Sequence, residues 1–87
     1  MAFRVIMPPL GDSSDEATVL KWLKAEGDSV QKGEQLLEIE TDKATVELEA
    51  LDTGTLRRIV VSEGEVATVG QTLAVIGEPD EDISDMT

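Results

Sequence analysis

The side chains available for chemistry are limited, because the 87 residues include no cysteine, histidine or tyrosine. Their absence excludes thiol and imidazole nucleophiles, disulfides and zinc sites of the usual ligand sets. The scattered methionines indicate no metal or haem site. Among the remaining polar residues, Lys43 lies between Asp42 and Ala44 in a segment that alternates apolar and acidic residues. The chemistry that this segment offers is that of a primary amine.

The residues around Lys43 predict a β-hairpin with a defined register. If Asp42 and Lys43 are the two central turn residues, Thr41 faces Ala44. Apolar side chains then pair on one face of the hairpin: Leu37 with Leu48 and Ile39 with Val46. Acidic side chains lie on the other face: Glu38, Glu40, Glu47 and Glu49. A slip of one residue would mix the two sets, so the register places Lys43 at the hairpin tip.

Two features of this hairpin do not favour stability. The Asp42-Lys43 turn lacks the glycine that two-residue turns prefer, which predicts a more open turn, and Glu38 directly faces Glu47. One interpretation is that these are ordinary exposed charges screened by salt. The other is that these glutamates surround a lysine that is exposed for recognition by another protein.

The elements that must position this hairpin are predicted to be strands. Short apolar stretches, separated by glycine-bearing polar connections, occur at residues 3–7, 18–25, 35–40, 45–50, 55–61 and 71–76. A shift of 37 positions also aligns identical residues without a gap: Thr18 with Thr55, Glu26 with Glu63, Gly27 with Gly64, Gly33 with Gly70, Leu36 with Leu73 and Ile39 with Ile76. Each half therefore follows the order strand, Glu-Gly-acid turn, short polar link, glycine turn and strand.

The chain is long enough for one small domain with a thin core, and too short for the deep cleft of a self-contained enzyme. No window holds helical periodicity over ten residues. We therefore predict an all-β fold, a flattened barrel or sandwich of two roughly four-stranded antiparallel sheets related by a pseudo-twofold axis. Residues 1–77 are expected to form the domain, and residues 78–87 an acidic tail or the start of a flexible linker.

The formal charge of -12 repels phosphate backbones and anionic lipid headgroups, which excludes nucleic acid and membrane surfaces as partners. No run approaches the ~20 apolar residues of a membrane span. The first residues have neither a signal-peptide nor a transit-peptide pattern. Together with a methionine just before the first strand, this favours a soluble protein of the bacterial cytoplasm over one of the mitochondrial matrix.

Residues 3 to 77 resemble the lipoyl domain of the dihydrolipoyl acyltransferase component of 2-oxo-acid dehydrogenase complexes. The matching motifs are Met7-Pro8-Pro9-Leu10-Gly11, Trp22-Leu23-Lys24-Ala25-Glu26-Gly27-Asp28, Glu40-Thr41-Asp42-Lys43-Ala44 and Gly54-Thr55-Leu56. A lone Asp-Lys-Ala tripeptide is a weak signal. At the tip of this hairpin, with these glycine spacings on either side, it is a strong one.

The resemblance implies that lipoate is joined to Lys43 through an amide bond. It further implies that the modifying enzyme recognises the neighbouring residues: Glu40, Thr41, Asp42 and Ala44. A loop used by the decarboxylase partner corresponds to Leu10, Gly11, Asp12, Ser13, Ser14, Asp15 and Glu16. This loop departs from the usual form at Asp12-Ser13-Ser14-Asp15, so it does not define the substrate class.

The implied partners follow from the same resemblance. They are a lipoate ligase, or an octanoyltransferase with lipoyl synthase, a thiamine-dependent decarboxylase, an acyltransferase core and dihydrolipoyl dehydrogenase. Thiamine diphosphate, coenzyme A and FAD belong to those partners, and the domain itself is a non-catalytic carrier, expected to be monomeric in isolation. An exposed lysine has about 0.1% or less of neutral amine at pH 7, so a separate enzyme must activate the acyl group. Pyruvate is the favoured substrate of the complex, and 2-oxoglutarate, branched-chain 2-oxo acids and acetoin are the alternatives.

Three alternatives remain open. A biotin carrier domain shares the fold but sets methionines beside its lysine, where this chain has Asp42 and Ala44. The lipoyl-bearing hydrogen carrier of glycine cleavage is longer, with helical elements for which this chain has no residues. An unmodified β interaction module would dock through its acidic face and would not require Lys43.

Overall fold

Eight strands in two antiparallel sheets make up the computed structural model, which describes residues 2–9 and 15–83. The strands are β1 (Phe3–Ile6), β2 (Glu16–Trp22), β3 (Ser29–Val30), β4 (Gln35–Glu40), β5 (Thr45–Glu49), β6 (Gly54–Ile59), β7 (Val66–Thr68) and β8 (Thr72–Gly77). One sheet has the order β1-β8-β6-β3 and the other β5-β4-β2-β7. Within the described ranges, no helix is long and apolar enough to cross a membrane.

The apolar core combines side chains from both sheets. Strands β2, β4, β6 and β8 all contribute side chains to this core, and β4 and β8 each contribute two successive residues. Its largest fully buried members are Met7, Val19, Val30, Leu36, Leu37, Ile39, Leu56, Leu73 and Ile76. The two sheets do not close into a barrel, so the predicted all-β fold is confirmed in its sandwich form.

The internal repeat of the sequence is present in the structure as a pseudo-twofold symmetry. A shift of 37 positions maps β2, β3 and β4 onto β6, β7 and β8. Hydrogen bonds repeat with the strands: the Gly27 N–H donates to the Leu56 carbonyl at 2.7 Å, and the Gly64 N–H donates to the Val19 carbonyl at 2.7 Å. In each half, a backbone N–H of the Glu-Gly turn is therefore bonded to a carbonyl of the other half.

The first strand of each half follows a different shift. Val5 of β1 pairs with Ala74 of β8, and Leu48 of β5 pairs with Leu37 of β4. This equivalence of β1 and β5 needs a shift of 43 positions rather than 37. Between equivalent positions, the chain from β1 to β2 is therefore six residues longer than the chain from β5 to β6, and this longer stretch contains the loop predicted to bind a partner.

Two strands were missed by the sequence analysis, which predicted short polar links in their place. Ser29 of β3 pairs with Thr55, and Val66 of β7 pairs with Thr18. With two and three residues, these strands are too short for any alternation of apolar and polar side chains to identify them. They extend each sheet from three strands to four.

The glycines that the sequence places in turns adopt positive φ angles: Gly27, Gly33, Gly64 and Gly70. In the first of these turns, the Asp28 side chain accepts the Ala25 N–H at 2.9 Å. Its repeat uses Glu65, whose side chain accepts the Ser62 N–H at 2.7 Å. The acidic residue after each Glu-Gly pair is thus explained by the turn that it closes.

Replacement of Gly64 by alanine should destabilise the domain by about 1–2 kcal/mol, because φ is +87° and L-residues avoid this region. A Cβ atom at this position would meet no atom within 4 Å, so backbone strain is the cost and steric overlap is not. Urea unfolding measures the loss. Gly64→Asn is the matched control, and it should cost less because asparagine tolerates positive φ. A Gly64→Ala variant as stable as the parent would contradict the assigned turn.

The beginning of the acidic tail lies against the domain. The Arg57 guanidinium donates to the backbone carbonyls of Glu78 and Glu81, the latter at 2.6 Å. The Glu81 carboxylate accepts the Glu78 N–H at 3.2 Å, and this hydrogen bond lowers the pKa of Glu81. Residues 78–81 therefore form an anchored turn at the end of β8, which is the pseudo-twofold mate of the turn between β4 and β5.

Candidate functional site

The hairpin of β4 and β5 has the predicted register. Glu38 is paired with Glu47, and the apolar pairs are Leu37 with Leu48 and Ile39 with Val46. A bulge at Leu36 places two successive leucines, Leu36 and Leu37, in the core. Because these buried side chains fix the position of β4, the turn that joins it to β5 is held at the end of a rigid element.

The turn at the tip is organised by the side chain of Thr41. The Thr41 backbone N–H donates to the Ala44 carbonyl at 2.9 Å. The Thr41 hydroxyl oxygen accepts the N–H groups of Lys43 at 3.2 Å and Ala44 at 3.1 Å. A hydroxyl that caps the following backbone in this way gives the open turn expected for Asp42-Lys43, which lacks glycine.

The side chain of Lys43 projects from this turn into solvent. Among the described residues, its ammonium group makes no hydrogen bond or ion pair, and the residues on either side, Asp42 and Ala44, are also exposed. Lys24 differs, because its ammonium lies 2.9 Å from the carboxylate of Glu34 and lowers the pKa of that carboxyl group. An exposed amine of this kind fits the attachment of an acyl group through an amide bond.

The acidic side chains near the tip form a row that includes a cation which sequence reasoning missed. Glu38 lies between Glu47 on one neighbouring strand and Lys21 on the other. Lys21 therefore offsets the like-charge pair that the sequence predicts. The repeat aligns Lys21 with Arg58, but Arg58 pairs with the uncharged Val75, and the pairing of β2 with β4 that brings Lys21 beside Glu38 is not visible in the sequence.

The loop predicted to bind a partner can be assessed only in part. Leu10, Gly11, Asp12, Ser13 and Ser14 lie outside the described residues. Asp15 and Glu16 are described, and they line a shallow depression of about 490 Å³ together with residues of the hairpin: Glu40, Thr41 and Asp42. The structure thus brings the described end of this loop next to the turn of residues 41–44, called the lysine turn below.

Val66 also lines this depression, and the sequence analysis did not single it out. It belongs to β7, pairs with Thr18, and is 55% exposed. An apolar side chain beside four carboxylates gives the depression a mixed character. Across residues 2–9 and 15–83, no group of three or more carboxylates is placed to hold a metal ion.

A two-sheet sandwich with internal twofold symmetry, which presents one lysine on a rigid hairpin, defines a class of small β domains. The chain belongs to the Biotin_lipoyl family, described as "Biotin-requiring enzyme", whose model matches residues 4–76. Thr41, Asp42, Lys43 and Ala44 all lie within the matched range.

The most informative relatives come from 2-oxo-acid dehydrogenase complexes. The chain is 48% identical over 85 residues to a dihydrolipoyllysine-residue acetyltransferase component of the pyruvate dehydrogenase complex of Zymomonas mobilis, covering 97% of this chain and 19% of that protein. It is 42% identical over 87 residues to a pyruvate dehydrogenase E1 component subunit beta of Rhizobium meliloti, covering 99% of this chain and 19% of that protein. The chain thus spans about a fifth of the length of these relatives.

A solved structure supports the same grouping. The lipoyl domain of the 2-oxoglutarate dehydrogenase complex of Azotobacter vinelandii is 32% identical and superposes with a TM-score of 0.71. The match covers 86% of this chain and 95% of that domain. The resemblance to a lipoyl domain that the sequence indicates is therefore confirmed.

Proposed function

We propose that Lys43 carries lipoate in an amide bond to its Nζ atom, and that the domain is a swinging-arm acyl carrier. In this role it shuttles acyl groups and electrons between the active sites of a 2-oxo-acid dehydrogenase complex. The observation that carries the proposal is the exposed ammonium of Lys43 at the tip of a rigid hairpin, where no side chain of residues 2–9 and 15–83 pairs with it. Family membership and the lipoyl-domain relatives support it.

The chain's own residues supply position rather than catalysis. Lipoate, when attached, supplies a dithiolane that accepts and releases acyl groups. The buried part of β4 holds the turn, and Thr41 holds the backbone on both sides of the lysine's Cα. An arm fixed at one end to such a turn reaches partner active sites at a high effective concentration.

Residues next to the lysine are proposed to be read by the modifying enzyme. Glu40, Asp42 and Ala44 are exposed and can be contacted from outside, whereas Thr41 is buried. We assign the partner-recognition role to the loop of residues 10–16, which reaches the lysine turn through Asp15 and Glu16. Recognition must lie in this surface, because all lysines offer the same amine.

The parent protein is proposed to be a dihydrolipoyl acyltransferase of a pyruvate dehydrogenase complex. The relative from Zymomonas mobilis supports both parts of this assignment. The relative from Rhizobium meliloti is a pyruvate dehydrogenase E1 component subunit beta, so a fusion to that component is the other candidate. The partners would then be the thiamine-dependent decarboxylase, the acyltransferase core and dihydrolipoyl dehydrogenase.

The test is the intact mass of the domain after incubation with lipoate ligase, ATP and lipoate. We expect one lipoyl adduct on the parent domain and none on Lys43→Arg, which keeps the charge but removes the primary amine. Lys32→Arg is the matched control, because Lys32 is also an exposed lysine in a turn, and this variant should be modified fully. An adduct that persists in Lys43→Arg would refute the assignment.

Biotin attachment is the second candidate, since the description of the matching family names biotin-requiring enzymes. A parallel reaction with biotin ligase shows whether the domain accepts biotin or lipoate. Asp42 and Ala44 beside the lysine favour lipoate, so we expect no biotin adduct. A biotin adduct instead would assign the domain to a carboxylase, and no adduct from either ligase would indicate an unmodified interaction module.

The lipoylated domain then serves to identify the 2-oxo acid. It is offered to a pyruvate decarboxylase component and to a 2-oxoglutarate decarboxylase component, each with its own substrate, and acylation of the arm is followed by mass. Faster acylation with pyruvate would support the proposed complex. Faster acylation with 2-oxoglutarate would assign the domain to a 2-oxoglutarate dehydrogenase complex, the kind of complex that contains the Azotobacter vinelandii relative.

A further inference from the structure

Thr41 has an unusual environment for a hydroxyl residue. It is 9% exposed, and it is the one polar residue of the buried class within residues 2–9 and 15–83. Its hydroxyl group lies inside the turn, where it accepts two backbone N–H groups and stands 3.2 Å from the Ala44 carbonyl, to which it can donate. A modifying enzyme that approaches the exposed lysine therefore has little of this side chain to contact.

The hydroxyl stabilises a turn whose sequence lacks the glycine that favours a tight two-residue hairpin. Tight two-residue hairpins prefer glycine because their central residues need positive φ, and Asp42-Lys43 provides none. Threonine side chains can instead accept hydrogen bonds from backbone groups two and three residues further along. In this turn those two groups are the N–H of Lys43 and the N–H of Ala44.

The first of these bonds acts directly on the lysine. The Lys43 nitrogen is one bond from its Cα, so fixing the N–H restrains the direction in which the side chain leaves the backbone. The second bond restrains the far side of the same turn. Without them, the buried end of β4 would still hold the hairpin, but the two exposed residues at its tip would sample several orientations.

We propose that Thr41 is a positioning residue for the modification of Lys43, and that its hydroxyl sets the direction in which the lysine is presented. This inference rests on the proposed function. It assigns to Thr41 a role different from that of Glu40, Asp42 and Ala44, because it acts through the backbone of the turn and makes no contact with the enzyme.

The test compares Thr41→Val, which keeps the shape of the side chain and removes the hydroxyl, with Thr41→Ser, which keeps the hydroxyl. We expect kcat/KM for lipoylation to fall about tenfold in Thr41→Val, the effect of one hydrogen bond or slightly more, and to be largely retained in Thr41→Ser. Hydrogen exchange of the Lys43 and Ala44 amides should accelerate in Thr41→Val alone.

Two controls separate positioning from a general loss of structure. Thr45→Val makes the same change on an exposed threonine of the same hairpin, whose hydroxyl makes no hydrogen bond with the described residues, and it should leave lipoylation unchanged. Acylation of Lys43 by a small activated ester, followed by peptide mapping, should proceed at the parent rate in Thr41→Val, because the amine remains exposed.

The outcomes distinguish the proposed function of the domain from the role of the Thr41 hydroxyl. If the parent domain is not modified at Lys43, the proposed function fails. If the parent is modified and Thr41→Val is modified equally fast, or if Thr41→Ser is as slow as Thr41→Val, the role of the hydroxyl is refuted. Should Thr41→Val unfold, Thr41→Ala together with the amide exchange of Thr41→Ser gives the same comparison.

Discussion

Moving the lysine one residue along the hairpin should abolish lipoylation, although an exposed lysine remains at the tip. The two shifted variants are Asp42→Lys and Ala44→Lys, each combined with Lys43→Arg. Neighbouring Cα atoms are 3.8 Å apart, and reacting atoms must approach to about 3–3.5 Å, where a misplacement of about 1 Å already costs roughly 100-fold in rate. We therefore expect a loss of more than about 100-fold in both variants.

Single-turnover lipoylation, followed by intact mass, measures this loss. Reaction with a small activated ester serves as the control, because it depends only on exposure and should modify the shifted lysine at a rate close to that of Lys43 in the parent. Efficient enzymatic modification of either shifted variant, within about tenfold of the parent, would show that the ligase does not require the lysine at the position set by the turn.

Truncation of Leu36 to alanine should have the largest effect on stability. Leu36 is fully buried through the bulge in β4, and removal of a buried leucine side chain costs about 2–5 kcal/mol. A domain of 87 residues has a total stability of roughly 4–13 kcal/mol. Leu36→Ala should therefore be largely unfolded under mild denaturing conditions, and the lysine turn would lose its support.

Urea unfolding of Leu36→Ala is compared with two other leucine truncations. Leu73 is the pseudo-twofold mate of Leu36 and is equally buried, so Leu73→Ala should lose a similar amount. Leu51 is 79% exposed, and Leu51→Ala should stay within about 0.5 kcal/mol of the parent. Equal losses at Leu36 and Leu51 would contradict the assigned core.

The hairpin could be predicted from the sequence because its information is local. Apolar and acidic residues alternate on both sides of Lys43, and only one register keeps Ile39 and Val46 on the same face. The pseudo-twofold symmetry was also predictable, because Gly27 and Gly64 occupy equivalent turns that few other residues tolerate. Both features depend on spacing along the chain alone.

Features that depend on contacts between distant segments could not be predicted. The position of Lys21 beside Glu38 requires the pairing of β2 with β4, and β3 and β7 exist only because β6 and β2 offer them an edge. The sequence likewise indicates an open turn, but it does not show that the Thr41 hydroxyl points inward and accepts the N–H groups of Lys43 and Ala44. Tertiary context decides these placements.

The pairing of the first strand with the last makes the domain suitable for insertion into another polypeptide. Phe3 lies opposite Ile76, and a Cβ atom at Gly77 would lie 3.1 Å from that of Ala2. A host polypeptide could therefore enter and leave through a gap of about 5 Å, the spacing of adjacent strands, and accept the domain as an insertion within a surface loop. The same adjacency allows circular permutation, with the two ends joined and new ones opened in the exposed connection at Leu51.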